Sequence, residues 1–289
     1  MTVVFSLLVH ENEQVVINQI ENINKFAPGA LIVAHVNERF NGKVSPLFLY
    51  QKENQSFFVN DQRLVLQWAD LIQAHNSNFQ YAKKTFGKFS HFCLEASNDM
   101  FVRPGVLNYV TQREHGSQMI KTYDDMQWTS YRRTKHDPQL KRMMDFFGVT
   151  EILGSQPEGN FYSYELYEEL FRVIDMFFDH SQISNFRTKD DNDSSNALYP
   201  REEIYFPTLA QKLNPNPATP YVFSEAMVVI NITPTLIESI RNETISPELC
   251  VDHRFKGEAR LYYPSGLFAV KRVPRNMHSD IRKFINELP

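Results

Sequence analysis

The chain has 289 residues, of which 42% are hydrophobic and 13% aromatic, enough to bury one large core or two closely packed ones. Its formal net charge of −4 argues against a general nucleic-acid binder, because non-specific affinity for a polyanion comes from clustered lysine and arginine. The two cysteines, Cys93 and Cys250, lack metal-ligand spacing and predict neither structural zinc nor a disulfide framework. The N-terminal residues have no basic leader and no apolar run of membrane-spanning length, so we expect a cytoplasmic protein without a transmembrane segment.

The first third of the chain alternates the patterns of strands and helices. Residues 3–10 (VVFSLLVH) and 30–37 (ALIVAHVN) are continuous apolar runs, typical of parallel strands that are covered on both faces. Apolar residues at helical spacing between these runs predict a βαβ unit. Residues 62–90 predict a further strand followed by a helix. This order is typical of a nucleotide-binding half-domain, although the sequence contains no GxGxxG motif and no P-loop.

The remainder of the chain mixes helices, loops and short strands. Residues 138–149 and 163–180 have helical patterns, and residues 201–214 predict a short helix broken by Pro207. Residues 221–232 suggest strands, and a last helix follows a basic segment. Because neither a repeat nor a linker-like composition divides the sequence, we predict one three-layer α/β/α domain over residues 1–289.

The segment HFCLEASNDMFVRPG, residues 91–105, places Asn98 and Asp99 at the end of an apolar strand. In an open α/β sheet, ligands bind at the carboxyl ends of the strands, so both side chains are candidates for a site. The alternative is an Asn-Asp turn, because both residues bond their own backbone and tolerate unusual dihedral angles.

Two adjacent glutamates, Glu202 and Glu203, begin a predicted helix. Backbone amides and the helix dipole favour an ionised carboxylate at that position, and such a carboxylate could act as a general base. The alternative is a first-turn glutamate that only stabilises its helix.

A basic, aromatic-rich segment lies near the C-terminus. Its six cations are Arg254, Lys256, Arg260, Lys271, Arg272 and Arg275. Lysine and arginine at close quarters can bind a diphosphate without a metal. Lys271 is the strongest candidate, because it follows the apolar run LFAV directly, and the alternative for the group is a solvated basic rim.

Aspartates that could bind a metal occur in two polar segments. The first segment contains Asp124 and Asp125, and the second contains Asp190, Asp191 and Asp193. Exposed aspartates are common in such segments, so the composition favours solvated loops over a metal site. His10 and His35, which lie in or after apolar strands, favour a structural, hydrogen-bonded role.

Taken in chain order, these segments resemble the metal-independent inverting glycosyltransferases of the GT-A fold, a family that includes the core-2 and I-branching β-1,6-N-acetylglucosaminyltransferases and the peptide O-xylosyltransferases. FSLLVH and LIVAHVN are similar to the family's first two strands, with Asn37 where an aspartate is expected. LEASNDMFVRPG resembles the LSGSDYPL segment, and GSQP resembles GSQW without the tryptophan. PREEIYFPT is similar to the PDEhhhxT segment, and LFAVKR is similar to LFAxKF.

The resemblance implies a GT-A-like domain with a mixed central sheet, a Rossmann-like nucleotide-sugar-binding half (residues 1–115) and an acceptor-binding and catalytic half (residues 116–289). It implies that Glu203 is the catalytic base and that Lys271 binds the donor diphosphate, with Arg254 as the nearest partner and Arg260 as the second. The implied nucleotide and sugar contacts are Val9, His10, Val36, Asn37, Asn98 and Asp99. The implied acceptor contacts are Gly154, Ser155, Gln156 and Glu202.

The implied activity is transfer of a sugar, with inversion, from a UDP-sugar to a hydroxyl of a glycan, a glycolipid or a glycosylated nucleobase. No metal cofactor is expected, because SND has one carboxylate where most GT-A enzymes carry a DxD motif, and a lone aspartate is a poor magnesium site. Two alternatives stay open: a non-catalytic sugar- or nucleotide-binding protein of the same fold, and a metal-dependent transferase that uses the Asp-rich loop. Residues 187–196 of that loop have few apolar side chains, which predicts either a mobile lid or an inert surface loop.

Overall fold

The structure is a computed structural model that describes residues 2–10, 12–40, 43–66, 71–121, 133–180, 199–224, 231–252 and 259–289. In chain order, the first four strands are β1 (Val3–Val9), β2 (Leu31–Val36), β3 (Phe57–Val59) and β4 (His91–Ala96). The later strands, each of two or three residues, are β5 (Met100–Phe101), β6 (His115–Gly116), β7 (Ile120–Lys121), β8 (Leu153–Gly154), β9 (Phe161–Ser163), β10 (Val222–Phe223), β11 (Val251–Asp252), β12 (Ala259–Arg260) and β13 (Ala269–Val270).

Helices cover the sheet and extend the second half of the chain. They are α1 (Glu13–Phe26), α2 (Ser45–Glu53), α3 (Ile72–Phe86), α4 (Val106–Thr111), α5 (Pro138–Phe147), α6 (Tyr164–Phe177), α7 (Tyr205–Leu213), α8 (Pro234–Arg241) and α9 (Asp280–Glu287). Short 3₁₀ turns occur at Thr134–His136, Arg201–Glu203, Pro247–Cys250 and Pro264–Gly266. None of the helices in the described ranges is both long enough and apolar enough to cross a membrane.

The central sheet is mixed, with six strands in the order β3-β2-β1-β4-β9-β6. The first four strands are parallel, and β9 pairs antiparallel with both β4 and β6. Every residue of β1 is buried, as expected for a parallel strand covered on both faces. A second sheet, β10-β13-β5, lies where the C-terminal segment returns to the end of β4. The chain is therefore a mixed α/β protein, as predicted.

Local capping fixes several helix starts that the sequence pattern predicts. Asn12 caps α1 by accepting a hydrogen bond from the Val15 amide, and Asp137 caps α5 by accepting from the Gln139 and Leu140 amides. Helix α3 packs on β1 and β2, while α6 packs on β4 and β9. The apolar stripe predicted for residues 163–180 faces this core, because Tyr167 and Leu170 are fully buried.

The prediction of a strand in the segment that begins at residue 62 is wrong, as far as the structure describes that segment. Residues 61–66 form no strand, and β3 lies earlier, at Phe57–Val59. The Leu64 amide donates to His35 Nε2 at 3.1 Å, and the Leu66 amide donates to Asn37 Oδ1 at 3.3 Å. In a strand, these amides would donate to the backbone of a neighbouring strand. Here they donate to side chains at the end of β2 instead.

The helix break predicted at Pro207 is also wrong. Helix α7 runs without interruption from Tyr205 to Leu213, and Pro207 lies in its first turn. The first turn of a helix has amides without intrahelical partners, so the missing N–H of proline removes no helical hydrogen bond there. The strands suggested for residues 221–232 reduce to β10, and residues 225–230 lie outside the described ranges.

Candidate functional site

A cleft of about 490 Å³ opens at the carboxyl ends of β1 and β4. Strands β2 and β3 lie on one side of β1 and β4 lies on the other, so the direction of the strand order reverses between β1 and β4. Such a switch point is the usual ligand position in open α/β sheets. The walls come from the ends of these two strands, the turn after β8 and the segment after β13.

The lining of the cleft combines apolar and charged side chains. Leu8, Leu71, His10 and His75 line it together with Glu95, Asn98, Glu158 and Lys271. Arg272 and Arg275 also line the cleft and are exposed to solvent. A ligand that has both a ring and an ionic group would find contacts for each in such a lining.

Lys271 is held by polar contacts at the cleft. It follows β13, and its backbone amide donates to the Phe223 carbonyl at 2.8 Å. Its Nζ lies 2.6 Å from Glu158 Oε2 and donates to Gln156 Oε1 at 2.8 Å. Burial lowers the pKa of Lys271, but the carboxylates of Glu158 and Asp99 outweigh burial and raise the pKa above its usual value. Lys271 therefore stays charged.

Gln156 joins Lys271 to Glu203, and we call these three residues the polar line. The Gln156 Nε2 donates to Glu203 Oε1 at 3.5 Å, at the long end of a hydrogen bond. The backbone supports this arrangement, because the Ser155 amide donates to the Glu203 carbonyl at 2.9 Å. The Gln156 amide donates to Gln118 Oε1 at 2.9 Å, which fixes the turn after β8.

The surroundings of Glu203 affect its ionisation differently from the sequence prediction. It ends the 3₁₀ turn Arg201–Glu203, before α7 begins at Tyr205, so it does not occupy the favourable helix start. Burial, followed by the charges of Glu202 and Glu158, raises the pKa of Glu203 well above its usual range, and Lys271 opposes this only in part. Its Oε2 is buried without a hydrogen bond from the described residues. The prediction that the surroundings of Glu203 stabilise its ionised form is therefore wrong.

Asn98 and Asp99 separate at the end of β4. Asn98 lines the cleft, whereas Asp99 points inward and is 1% exposed, so Asp99 does not form the cleft wall that the sequence predicts. Asp99 Oδ2 accepts a hydrogen bond from the Ala96 amide at 2.9 Å, which is the turn that the sequence also allowed. Of these two neighbouring residues, Asp99 therefore forms a tight turn and Asn98 lines the cleft.

Asp99 forms a buried carboxyl pair with Glu95. Glu95 Oε1 accepts a hydrogen bond from the Tyr221 hydroxyl at 2.6 Å, and the two carboxyl groups interact with each other. Burial, and next the charge of Glu158, raises the pKa of Asp99 to about 8. Burial and Asp99 likewise raise the pKa of Glu95. Two close carboxyls in a buried place cannot both ionise readily, so the pair retains a proton at neutral pH.

Only one of the residues implied for the first two strands lines the cleft. His10 does so, and burial together with the charge of Arg275 lowers its pKa. Val9 and Val36 are fully buried in the core. Asn37 donates to the Leu66 carbonyl at 3.0 Å and holds the loop after β2, so its observed role is structural.

The implied acceptor contacts lie around the polar line. Gly154 ends β8, and Ser155 is buried with its Oγ 3.0 Å from Asn160 Oδ1. Glu202 is 2% exposed, so of the four implied residues Gln156 has the most direct connection to the cleft. Neither Glu203 nor Gln156 lines the cleft itself, and Glu203 connects to the cleft through Gln156 and then Lys271.

Several predicted residues cannot be placed. Arg254 and the whole of residues 187–196 lie outside the described ranges, as do Asp124 and Asp125. Arg260 belongs to β12, where the backbone alone is described. Within the described ranges, no group of three or more histidine, cysteine, aspartate or glutamate side chains is arranged to hold a metal ion.

Sequence reasoning missed Glu158, which lines the cleft and pairs with Lys271. Its position is fixed by the turn Pro157-Glu158-Gly159, in which Gly159 has φ +80° and its amide donates to the Leu94 carbonyl at 2.9 Å. A Cβ on Gly159 would lie 2.5 Å from the Val222 nitrogen, so the close approach requires glycine. The sequence Pro-Glu-Gly was the signal from which this turn could have been predicted.

Comparison with known proteins assigns no family. The chain matches no family model, and no curated protein is significantly similar to it.

Proposed function

We propose that the chain is an inverting glycosyltransferase of the GT-A type, which moves a sugar from a nucleotide diphosphate to an acceptor hydroxyl. The observation that carries the proposal is the polar line. A cation, an amide and a carboxyl group that are far apart in sequence meet beside a switch-point cleft. The donor would be a UDP-sugar, and the acceptor hydroxyl would belong to a glycan, a glycolipid or a glycosylated nucleobase.

Glu203 would serve as the general base in this reaction. The acceptor oxygen would attack the anomeric carbon while its proton passes to Glu203, and the bond from that carbon to the diphosphate oxygen would break. A single displacement inverts the anomeric centre and needs no covalent intermediate. The raised pKa of Glu203 makes its ionised form a stronger base, but that form is less populated at neutral pH.

The cationic side of the cleft would bind the departing diphosphate. Lys271, Arg272 and Arg275 line this side, and fixed positive charge stabilises an anion as it develops in the transition state. Leu8 and Leu71, which also line the cleft, would contact the nucleoside. Lys271 would also hold Gln156, which in turn contacts the base.

A panel of nucleotide sugars, assayed for transfer and for donor hydrolysis with and without chelator, tests the proposal. We expect turnover of at least one UDP-sugar, retained in the presence of chelator. Tight binding of a nucleotide sugar without any turnover would favour the non-catalytic alternative. Activity that requires manganese or magnesium would favour the metal-dependent alternative and direct attention to Asp190, Asp191 and Asp193.

A further inference from the structure

Two buried asparagine side chains form a hydrogen-bonded chain between the loop after β3 and the sheet. Asn60 Oδ1 accepts from the Gln62 amide at 3.0 Å, and Asn60 Nδ2 donates to Asn78 Oδ1 at 3.0 Å. Asn78 Nδ2 then donates to the Val33 carbonyl at 3.0 Å. A backbone amide can only donate and a backbone carbonyl can only accept, so both ends of this chain are fixed. The backbone therefore determines which atom of each side-chain amide is the oxygen and which is the nitrogen.

The chain continues from Asn78 to a serine and a histidine. Asn78 Nδ2 also donates to Ser6 Oγ at 3.0 Å, and Ser6 Oγ lies 2.9 Å from His75 Nδ1. Because Ser6 is fully buried and already receives a proton from Asn78, its own hydroxyl proton is directed to His75 Nδ1. A proton on Nδ1 would instead leave the Ser6 hydroxyl as a buried donor without an acceptor. His75 therefore carries its ring proton on Nε2.

Nε2 is the polar atom of His75 that is left for a ligand. The side chain lines the cleft, and Nε2 has no hydrogen-bond partner among the described residues. Burial lowers the pKa of His75 to about 3, so the ring is neutral at pH 7. The buried chain thus presents one uncharged N–H donor, of fixed direction, to a cleft that Leu8 and Leu71 also line.

We infer that His75 is a specificity-determining residue, whose Nε2–H donates to a carbonyl oxygen of a bound heterocycle and disfavours an amino group at the same position. A fixed tautomer has a consequence where competing ligands present either an acceptor or a donor. Uracil and cytosine differ in this way, because O4 of uracil accepts whereas the N4 amino group of cytosine donates. His75 therefore favours UDP over CDP. The choice of a nucleotide as the ligand rests on the proposed function, but the tautomer does not.

Nitrogen-15 NMR of the full chain, labelled at histidine, tests the tautomer directly. A protonated ring nitrogen and a bare one resonate in separate regions of the spectrum. We expect a protonated Nε2 and a bare Nδ1 for His75, and the loss of both signals in His75→Gln identifies them. Ser6→Ala should shift the two signals toward a mixture of tautomers. A protonated Nδ1 in the wild type would overturn the inference.

Calorimetric titration of the wild type with UDP and with CDP tests the selectivity. The two nucleotides have the same phosphates and ribose, so a difference in affinity reports on the base. We expect UDP to bind about tenfold more tightly, the scale of one hydrogen bond gained against one donor left unpaired. His278→Gln, at an exposed histidine outside the cleft lining, is the matched control and should keep the wild-type ratio. Equal affinities of the wild type for UDP and CDP would overturn the inference.

Two variants test whether the fixed direction of the donor causes the selectivity. In Ser6→Ala the imidazole stays but either nitrogen can carry the proton, so the ratio of the two affinities should fall toward one as CDP binds more tightly. In His75→Gln the ratio should fall as well, because an amide can turn to donate or to accept. A purely structural role of Ser6 would weaken both nucleotides equally. An unchanged ratio in both variants would therefore overturn the inference.

The remaining outcomes separate the role of His75 from the proposed reaction. Binding of UDP over CDP that depends on Ser6 and His75, without any sugar transfer, would refute the glycosyltransferase proposal and support this role. Sugar transfer that proceeds equally well from UDP-sugars and CDP-sugars would support the glycosyltransferase and refute the role of His75.

Discussion

Asp99→Asn tests whether the buried carboxyl pair beneath the cleft destabilises the folded chain as the pH rises. The side chain is 1% exposed, and Oδ2 accepts the hydrogen bond from the Ala96 amide. Asparagine has the same shape, and its Oδ1 can accept this bond while its Nδ2 donates toward Glu95. The substitution therefore removes the titrating group and leaves packing and hydrogen bonding in place.

The expected effect of Asp99→Asn follows from linkage between protonation and folding. Burial and the charge of Glu158 raise the pKa of Asp99 from 3.8 to about 8. Between these values the folded chain retains a proton that the unfolded chain loses, so the free energy of unfolding falls as the pH rises. One pH unit corresponds to about 1.4 kcal/mol, so the wild type loses about 5 kcal/mol through Asp99 by pH 8. The variant should be more stable than the wild type by several kcal/mol at pH 8 and nearly equal at pH 4.

Urea unfolding at pH 4, 6 and 8 measures this difference. Asp61→Asn, at an exposed aspartate, is the matched control and should show no comparable change with pH. The reasoning is refuted if Asp99→Asn has the same effect at pH 4 and pH 8. It is also refuted if the variant destabilises the chain at pH 8, because Asp99 would then be an ionised partner of Lys271.

Other substitutions test the base, the turn and the buried histidine. Glu203→Gln should lower turnover by about 10² to 10⁴-fold with UDP affinity preserved, whereas Glu202→Gln should have a small effect in the same steady-state assay. Gly159→Ala should lower the free energy of unfolding by more than Gly29→Ala does. Both glycines have a positive φ, but a Cβ at Gly29 would meet no atom within 4 Å, whereas a Cβ at Gly159 would collide with Val222. Equal urea midpoints for the two variants would contradict the close approach of Gly159 to Val222. Burial lowers the pKa of His75 to about 3, so this residue contributes stability above pH 6.5 that is lost as the pH falls toward 3. His75→Gln should weaken that acid loss, and an unchanged acid slope in urea unfolding would show that His75 is charged in the folded chain.

Local patterns predicted much of the architecture. The continuous apolar runs of β1 and β2 indicate strands covered on both faces, and β1 is buried along its whole length. The apolar stripe of α6 consists of residues three or four positions apart, so it is visible without the fold. The strand-end argument also predicted Asn98 at a cleft, because parallel strands bring their carboxyl ends together.

Contacts between distant segments account for what the sequence could not show. Gln156 and Lys271 are 115 residues apart, and only the resemblance to a known family suggested that both belong to one site. The ionisation of Glu203 was predicted from its position before a helix, but burial and neighbouring carboxylates decide it. Strand β3 has three residues, too few to show the alternation of side chains that is typical of a strand. The sequence prediction therefore placed a strand in the more apolar run that follows.

Three unfavourable features of the described structure lie in or near the cleft, although left-handed φ values also occur elsewhere, at Met119 and Glu243. Arg272 adopts a left-handed φ beside it, Asp99 and Glu95 share a buried place beneath it, and Glu203 keeps an oxygen without a hydrogen bond close by. Each feature costs stability, and stability alone would favour a glycine, an amide or an apolar side chain at these positions. Behind the same strands, Phe5 and Tyr221 pack edge to face. A protein can keep such destabilising residues where a ligand or a reaction requires them. A ligand that binds only the folded chain stabilises it by mass action, and this offsets the loss of stability. The strain and the buried carboxyl groups near the cleft are therefore costs that a working site here would account for, independent of which ligand it binds.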